Sequence, residues 1–237
     1  MATTVLHKAA TRGHAGHGWL NAYHSFSFAS WYNPERVQFG TLRVLNDDTI
    51  AAGMGFGTHP HDNMEIITIP LEGDLAHKDS MGNESTIKTG DVQVMSAGTG
   101  IQHSEFNPNA SQRTKLFQIW VFPKTRNVTP RYQQITLDTA EQKNNFAQIL
   151  SPNPDDAGVW IHQDAWFYLA DFEADFSKKY ELKKEGNGLY VFVISGTITV
   201  DGQELETRDG LGITDFEILK IRALTDSKFL LMEIPMK

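Results

Sequence analysis

The sequence predicts an all-β fold of barrel or sandwich type, and three observations predict it. Short β-branched and aromatic runs alternate with turns rich in Gly, Asn and Asp. No convincing helical periodicity occurs before residue 135. The two halves also echo each other: MEIITIPLEGDLAHKDSMGNESTIKTGDVQVM (64–95) and GLYVFVISGTITVDGQELETRDGLGI (188–213) share one order. That order is apolar strand, glycine, strand, glycine-bearing turn, strand and glycine, so one scaffold is used twice.

Taken along the chain, His24-Ser-Phe26-Ser-Phe28 alternates with period two and reads as a strand with its aromatic residues on one face. Residues 36–46 read as the next strand, closed by a turn at Asn46-Asp47-Asp48. The glycines of AAGMGFGTHPH allow tight turns before the His59/His61 pair. Strands follow at 64–71, at 74–79 and, after the turn at 80–83 and Gly90-Asp91, in VQVMSAGTGIQHSEF. Residues 115–122 (KLFQIWVF) give a strong strand signal, ended by Pro123. Loop-like stretches at 123–131 and 151–158 punctuate the middle, with one or two helical turns expected between Leu137 and Phe146. Short strands return at 165–172, 178–182, 189–195 and 197–200.

Composition narrows the function classes. The chain has 237 residues, of which 40% are hydrophobic and 11% aromatic, ample for a packed core. A net charge of −8, with no Lys/Arg run, argues against direct nucleic-acid binding. With no cysteine there is no disulfide, thiolate metal site or cysteine nucleophile. The N-terminus lacks the continuous apolar core of a signal peptide, and no apolar run approaches the ~18 residues of a membrane span. A cytoplasmic protein is expected.

Two stretches carry the chemistry. Alternate residues of a strand share a face, so His59-Pro60-His61 aims two imidazoles into one space, their Cα atoms roughly 6.6 Å apart. Both rings can then reach one ion at about 2 Å. His103-Ser104-Glu105 repeats the geometry with a third imidazole and a carboxylate. The two stretches are expected to meet across a barrel interior and hold one divalent metal. His14-x-x-His17 also has metal-binding spacing, but loop histidines among glycines are expected to bond backbone instead. His77 reads as structural or exposed, and His162 has no H-x-H partner. Phe26, Phe28, Phe56, Met95 and Ile101 lie on or near the strands around the metal and read as barrel core.

These residues also carry a family resemblance. Gly53-x5-His59-x-His61-x3-Glu65-x7-Gly73 resembles the first cupin motif, with the last spacing one residue longer than usual. Gly90 followed by Gly98-Thr-Gly100-Ile-Gln-His103-Ser-Glu105 resembles the second, without its usual proline and with about two extra residues before the histidine. GTHPH, LEGDLAHKDSMGN, MSAGTGIQHSE, RGHAGHGW and YHSFSFASWYNP together resemble the pirin family, especially bacterial pirin-like proteins with quercetin 2,3-dioxygenase activity. The resemblance implies a bicupin: two face-to-face cupin β-barrels, each a double-stranded β-helix, with a few short helices. Residues 1–132 would be the metal-binding domain and 133–237 a cupin domain without ligands. Aligning Gly73 with Gly196 places Leu182 and Lys184 where His59 and His61 stand.

The resemblance further implies His59, His61, His103 and Glu105 as ligands. Many cupins take their carboxylate from the position of Glu65; here the i+2 relation to His103 favours Glu105. Such a donor set suits Fe(II), and equally Mn, Co, Ni, Cu or Zn. Iron is favoured because six-coordination leaves two positions open for substrate and O2. The implied reaction is oxidative cleavage of the central ring of flavonols such as quercetin, with release of CO. Glu105 would be a ligand, a base for the substrate hydroxyl, or both. The alternative is a non-enzymatic, metal-bearing regulator acting through protein partners.

Overall fold

The computed structural model describes residues 2–237. Each half of the chain builds a barrel from a seven-stranded and a four-stranded sheet. In the leading half the larger sheet runs in the order Arg131–Thr136, Asp91–Ser96, Glu65–Glu72, Thr114–Val121, Leu42–Ile50, Leu20–His24 and Gly13–Gly16. The smaller one runs Gly55–His61, Ile101–Phe106, Asp74–Asp79 and Glu84–Lys88. The trailing half repeats the plan. Its larger sheet runs Thr3–His7, Gly210–Thr214, Asn187–Ser195, Ser227–Pro235, Trp166–Phe172, Ala147–Ser151 and Val159–Trp160. Its smaller sheet runs Ser177–Glu181, Ile218–Ala223, Thr197–Val200 and Gln203–Glu206. This is the bicupin that the family resemblance implies.

Gly73 and Gly196 mark the repeat in the backbone. Both have positive φ, 75° and 85°, and both join a strand of the larger sheet to one of the smaller. A Cβ would come within 2.9 Å of the Arg113 carbonyl oxygen at the first and 2.4 Å of the Asp226 carbonyl oxygen at the second. Only glycine takes this conformation without strain in so tight a space.

The halves also exchange their outer strands. Thr3–His7, from the start of the chain, pairs antiparallel with Gly210–Thr214 of the trailing barrel. Arg131–Thr136 pairs with Asp91–Ser96 and takes the equivalent place in the leading barrel.

Period two decides what each central strand shows to each side. On one face, Leu45, Ile67, Ile69, Phe117 and Ile119 join Phe167, Phe192, Leu230 and Met232 in a single core between the two larger sheets. Phe117 meets Phe192 edge to face at 5.4 Å. Each such buried side chain contributes roughly 1.5–3 kcal/mol, so the barrels are bound by a core of their own. The opposite face, with Asn46, Asp48, Ile66, Gln118 and Trp120, lines the interior of the leading barrel. Being covered on both sides, Glu65–Glu72 reads as an almost continuous apolar run.

Two expectations need correction. Asn46-Asp47-Asp48 is not a turn but the middle of the nine-residue strand Leu42–Ile50. Asn46 and Asp48 face the barrel interior, while Asp47 accepts from Arg12 Nη1 at 3.1 Å and from Arg208 Nε at 2.8 Å. Tertiary partners thus hold extended a tripeptide whose local preference is to turn. Likewise the strand expected over 24–28 ends at His24, and Phe28 is carried on by an isolated bridge to Trp31. The helical expectation over 137–146 resolves to a single 3-10 turn, Thr139–Gln142, capped by Asp138 accepting from the Ala140 amide at 2.9 Å.

Candidate metal centre

Three imidazoles converge at the rim of the leading barrel. His59 and His61 lie on the strand Gly55–His61, and its hydrogen-bonded neighbour Ile101–Phe106 places His103 directly opposite His59. Ring centroids are 4.9 Å apart for His59–His61, 4.4 Å for His59–His103 and 5.0 Å for His61–His103. One ring nitrogen of each lies within 4.8 Å of the other two, close enough to share an ion.

Glu105 follows on the same face as His103, past a register shift in the pairing with Gly55–His61 that sets it opposite Phe56. It groups within 4.8 Å with His103 and with His77 rather than with all three rim imidazoles. His103 is therefore shared between two overlapping sets of donors. Glu65 belongs to neither: it is fully buried, accepts from Ser96 Oγ at 2.6 Å, and is raised by burial to about 7.

Protonation favours a cation here. Burial, followed by the neighbouring imidazoles His59, His61 and His77, drives His103 down to about 2. Burial, followed by His59, takes His61 down to about 4. Both rings are neutral at pH 7, the form that ligates a metal. His59 Nδ1 donates to the Gly57 carbonyl at 2.8 Å, which orients the ring and leaves Nε2 as its donor atom.

The fit to an ion rests on His103. It is 2% exposed, and neither of its ring nitrogens has a hydrogen-bond partner. A buried imidazole orphaned at both nitrogens is disfavoured by a few kcal/mol unless something else binds it. The donor set of imidazoles with an adjacent carboxylate suits a divalent first-row metal.

Around the imidazoles lies a cavity of about 390 Å³, whose apolar walls include Trp19, Phe28, Phe56, Ile66 and Trp120. Phe28 and Phe56 thus line it, whereas Phe26 packs between the barrels against Tyr190 at 5.3 Å. Met95 and Ile101 pack in a small cluster with Ile66 and Ala97.

Some participants escaped the sequence reading. Gln118 Nε2 and Thr68 Oγ1 both reach the Glu105 carboxylate, whose acidity burial weakens. His77, expected to be structural or exposed, is 1% exposed, contacts Asp79 Oδ2 through Nε2 at 3.2 Å and joins His103 and Glu105. The signal for Gln118 and Thr68 was there: each is a lone polar residue inside an apolar strand. His14 contacts Asn21 Oδ1 at 2.6 Å, and His17 lines the cavity, so the two do not act as a pair. His162 packs against Trp160 in the trailing half.

Comparison with known proteins places the chain. The Pirin family model matches residues 5–121, and the family described as quercetinase C-terminal cupin domain matches residues 148–234. The Escherichia coli protein named quercetin 2,3-dioxygenase is 44% identical over 230 residues, covering 97% of this chain and 98% of that protein. A pirin-like protein of Caulobacter vibrioides is 41% identical over 222 residues, 93% of this chain and 95% of that one. The crystal structure of the bacterial pirin YhhW from Escherichia coli in complex with nickel(II) superposes with a TM-score of 0.93 at 42% identity, over 98% of this chain and 99% of that one. Full-length similarity, the doubled barrel and the histidine rim converge on one assignment: the chain belongs to the pirin family of bicupins.

Proposed function

We propose that the protein is a metal-dependent dioxygenase that opens the central ring of flavonols such as quercetin with O2 and releases CO. The observation that carries this reading is the convergence of three imidazoles, one of them shared with a buried carboxylate, at the wall of an aromatic-lined cavity. His59, His61, His103 and Glu105 are the proposed ligands, and Fe(II) the proposed ion. The nickel(II) complex of the Escherichia coli relative and the dioxygenase name of its homologue support a divalent metal and this substrate class. When bound, the ion supplies Lewis acidity that eases deprotonation of a flavonol 3-hydroxyl.

The chain supplies the rest. Trp19, Phe56 and Trp120 offer flat apolar surface that receives a planar ring system and excludes water from it. Gln118 and Thr68 fix the Glu105 carboxylate from one side, so that its remaining lone pairs point in defined directions. Burial raises the proton affinity of Glu105, and that favours its acceptance of the substrate hydroxyl proton at a carboxylate oxygen.

The test is turnover of quercetin by iron-loaded protein in air, followed as loss of flavonol absorbance. Activity should exceed that of a His59→Ala control. No excess over that control, with iron shown to be bound in the wild type, would transfer the chain to the regulatory reading, a metal-bearing protein acting through partners.

A further inference from the structure

We propose that Asp48 determines which planar substrate is accepted, by hydrogen bonding through its side chain to a ring hydroxyl at the cavity wall. The inference rests on the flavonol reading above and deepens it.

Asp48 lines the cavity from the strand Leu42–Ile50 and is 4% exposed. Its cross-strand neighbours are Ala22 on one side and Leu116 on the other, so the sheet offers its side chain no partner. Oδ1 is accordingly buried without a hydrogen bond. The neighbouring polar groups are already engaged. Asn46 Oδ1, two residues earlier on the same face, meets His24 Nδ1 at 2.8 Å, and Glu105 is held by Gln118 at 2.9 Å. Among carboxyl groups lining the cavity, Asp48 alone is left with nothing to bind.

A buried carboxyl without a partner is disfavoured by a few kcal/mol, and a ligand group entering the cavity relieves that penalty. The chemistry of that group can be read from the surroundings. Glu105 and Asp47 lie near enough to Asp48 to weaken its acidity, and negative neighbours repel an anionic ligand. Burial, then those two carboxylates, take Asp48 up to about 8, so at pH 7 it is a neutral acid with one O–H donor and one carbonyl acceptor. A neutral phenol, which both donates and accepts, matches that pair. The few polar groups of an otherwise apolar pocket are the ones that fix orientation and specificity.

The experiment compares two probes that share the 3-hydroxy-4-oxo unit: quercetin, which carries additional ring hydroxyls, and 3-hydroxyflavone, which carries none. Binding to metal-loaded protein is measured without oxygen by quenching of tryptophan fluorescence, since Trp19 and Trp120 lie in the wall. Asp48→Leu should lower the preference for quercetin over 3-hydroxyflavone roughly tenfold, the scale of one lost hydrogen bond, while 3-hydroxyflavone binds as before. Asp48→Asn, which keeps a donor and an acceptor, should retain most of the preference. Under turnover, Asp48→Leu should raise the KM for quercetin more than it lowers kcat. An Asp48→Ala variant is read the same way if leucine does not fold. An unchanged preference in the leucine or alanine variant, with quercetin bound by the wild type, overturns this inference alone. Binding of neither flavonol by the wild type overturns the flavonol reading and this inference with it.

Discussion

Gln118 Nε2 stands 2.9 Å from Oε2 and 3.2 Å from Oε1 of Glu105, so one amide group bridges both oxygens of the buried carboxylate. A carboxylate held in this way presents its outward lone pairs in one orientation, with little entropy left to lose when a cation arrives. Gln118→Leu should therefore weaken metal binding by about 10- to 100-fold while leaving His59, His61 and His103 in place. Competition against a chelator of known affinity reads the change. Wild-type affinity in the variant would remove Gln118 from the centre.

Asp48 gives a second prediction through its proton. Its folded-state value is raised to about 8, against 3.8 in the unfolded chain. Between those limits the folded state holds a proton that the unfolded state has released. Stability is thus fully present below pH 3.8 and lost as pH rises towards 8. Asn carries no titrating proton. The stability of the wild type relative to Asp48→Asn should fall across that window by up to ~1.4 kcal/mol per pH unit. Denaturant titrations at pH 5, 6, 7 and 8 measure it; a pH-independent difference would place the titration elsewhere.

His7 works with the opposite sign. It closes the exchanged strand Thr3–His7, and its Nδ1 meets Tyr190 Oη at 2.9 Å between the barrels. Burial first, then the Arg36 charge, lowers it to about 4. The unfolded chain binds this proton near pH 6.5 and the folded protein resists it, so stability is present above 6.5 and lost as pH falls towards 4. In His7→Gln the decline between pH 6.5 and 4 should be shallower, by up to ~1.4 kcal/mol per pH unit. His61 and His103 titrate alike in both proteins and cancel from the difference. Thermal melts across that range decide it, and parallel declines in the two proteins would contradict it.

What the sequence made legible follows from how local each signal is. His59/His61 and His103/Glu105 could be read because the period of a strand is two and each pair is self-contained. The repeat could be read because Gly73 and Gly196 recur where the backbone needs positive φ. Asn46-Asp47-Asp48 was misjudged because its turn-like composition is overridden by partners far away in sequence, Arg208 among them. His77 is structural, one of the two readings its sequence allows, being buried with Nε2 3.2 Å from Asp79 Oδ2; its neighbours His103 and Glu105 come from another strand, and nothing within its own strand announces them. The exchange of Thr3–His7 and Arg131–Thr136 was illegible altogether, since a strand's composition says that it needs a sheet, not which one.

The doubled barrel poses a last question, whether one chain holds one ion or two. In the trailing barrel, Ser177–Glu181 and Ile218–Ala223 occupy the places of Gly55–His61 and Ile101–Phe106, and neither contains a histidine. Both buried carboxylates of that half are engaged: Asp209 accepts from Lys8 Nζ at 2.6 Å and the Ala9 amide at 2.8 Å, and Glu233 is saturated. It accepts from Tyr180 Oη at 2.6 Å, Asn187 Nδ2 at 2.9 Å and the amides of Lys183 and Lys184 at 2.9 and 3.0 Å. A carboxylate with four donors is part of the scaffold, and removing it strands groups worth about 1–3 kcal/mol each when left unpaired. Elemental analysis should return one equivalent of metal per chain. Combined His59→Ala and His103→Ala substitution should abolish it, whereas Glu233→Leu should keep it while lowering the melting temperature. Two equivalents in the wild type, or one surviving the double substitution, would mean that the ion is held by other side chains than the histidine rim of the leading barrel.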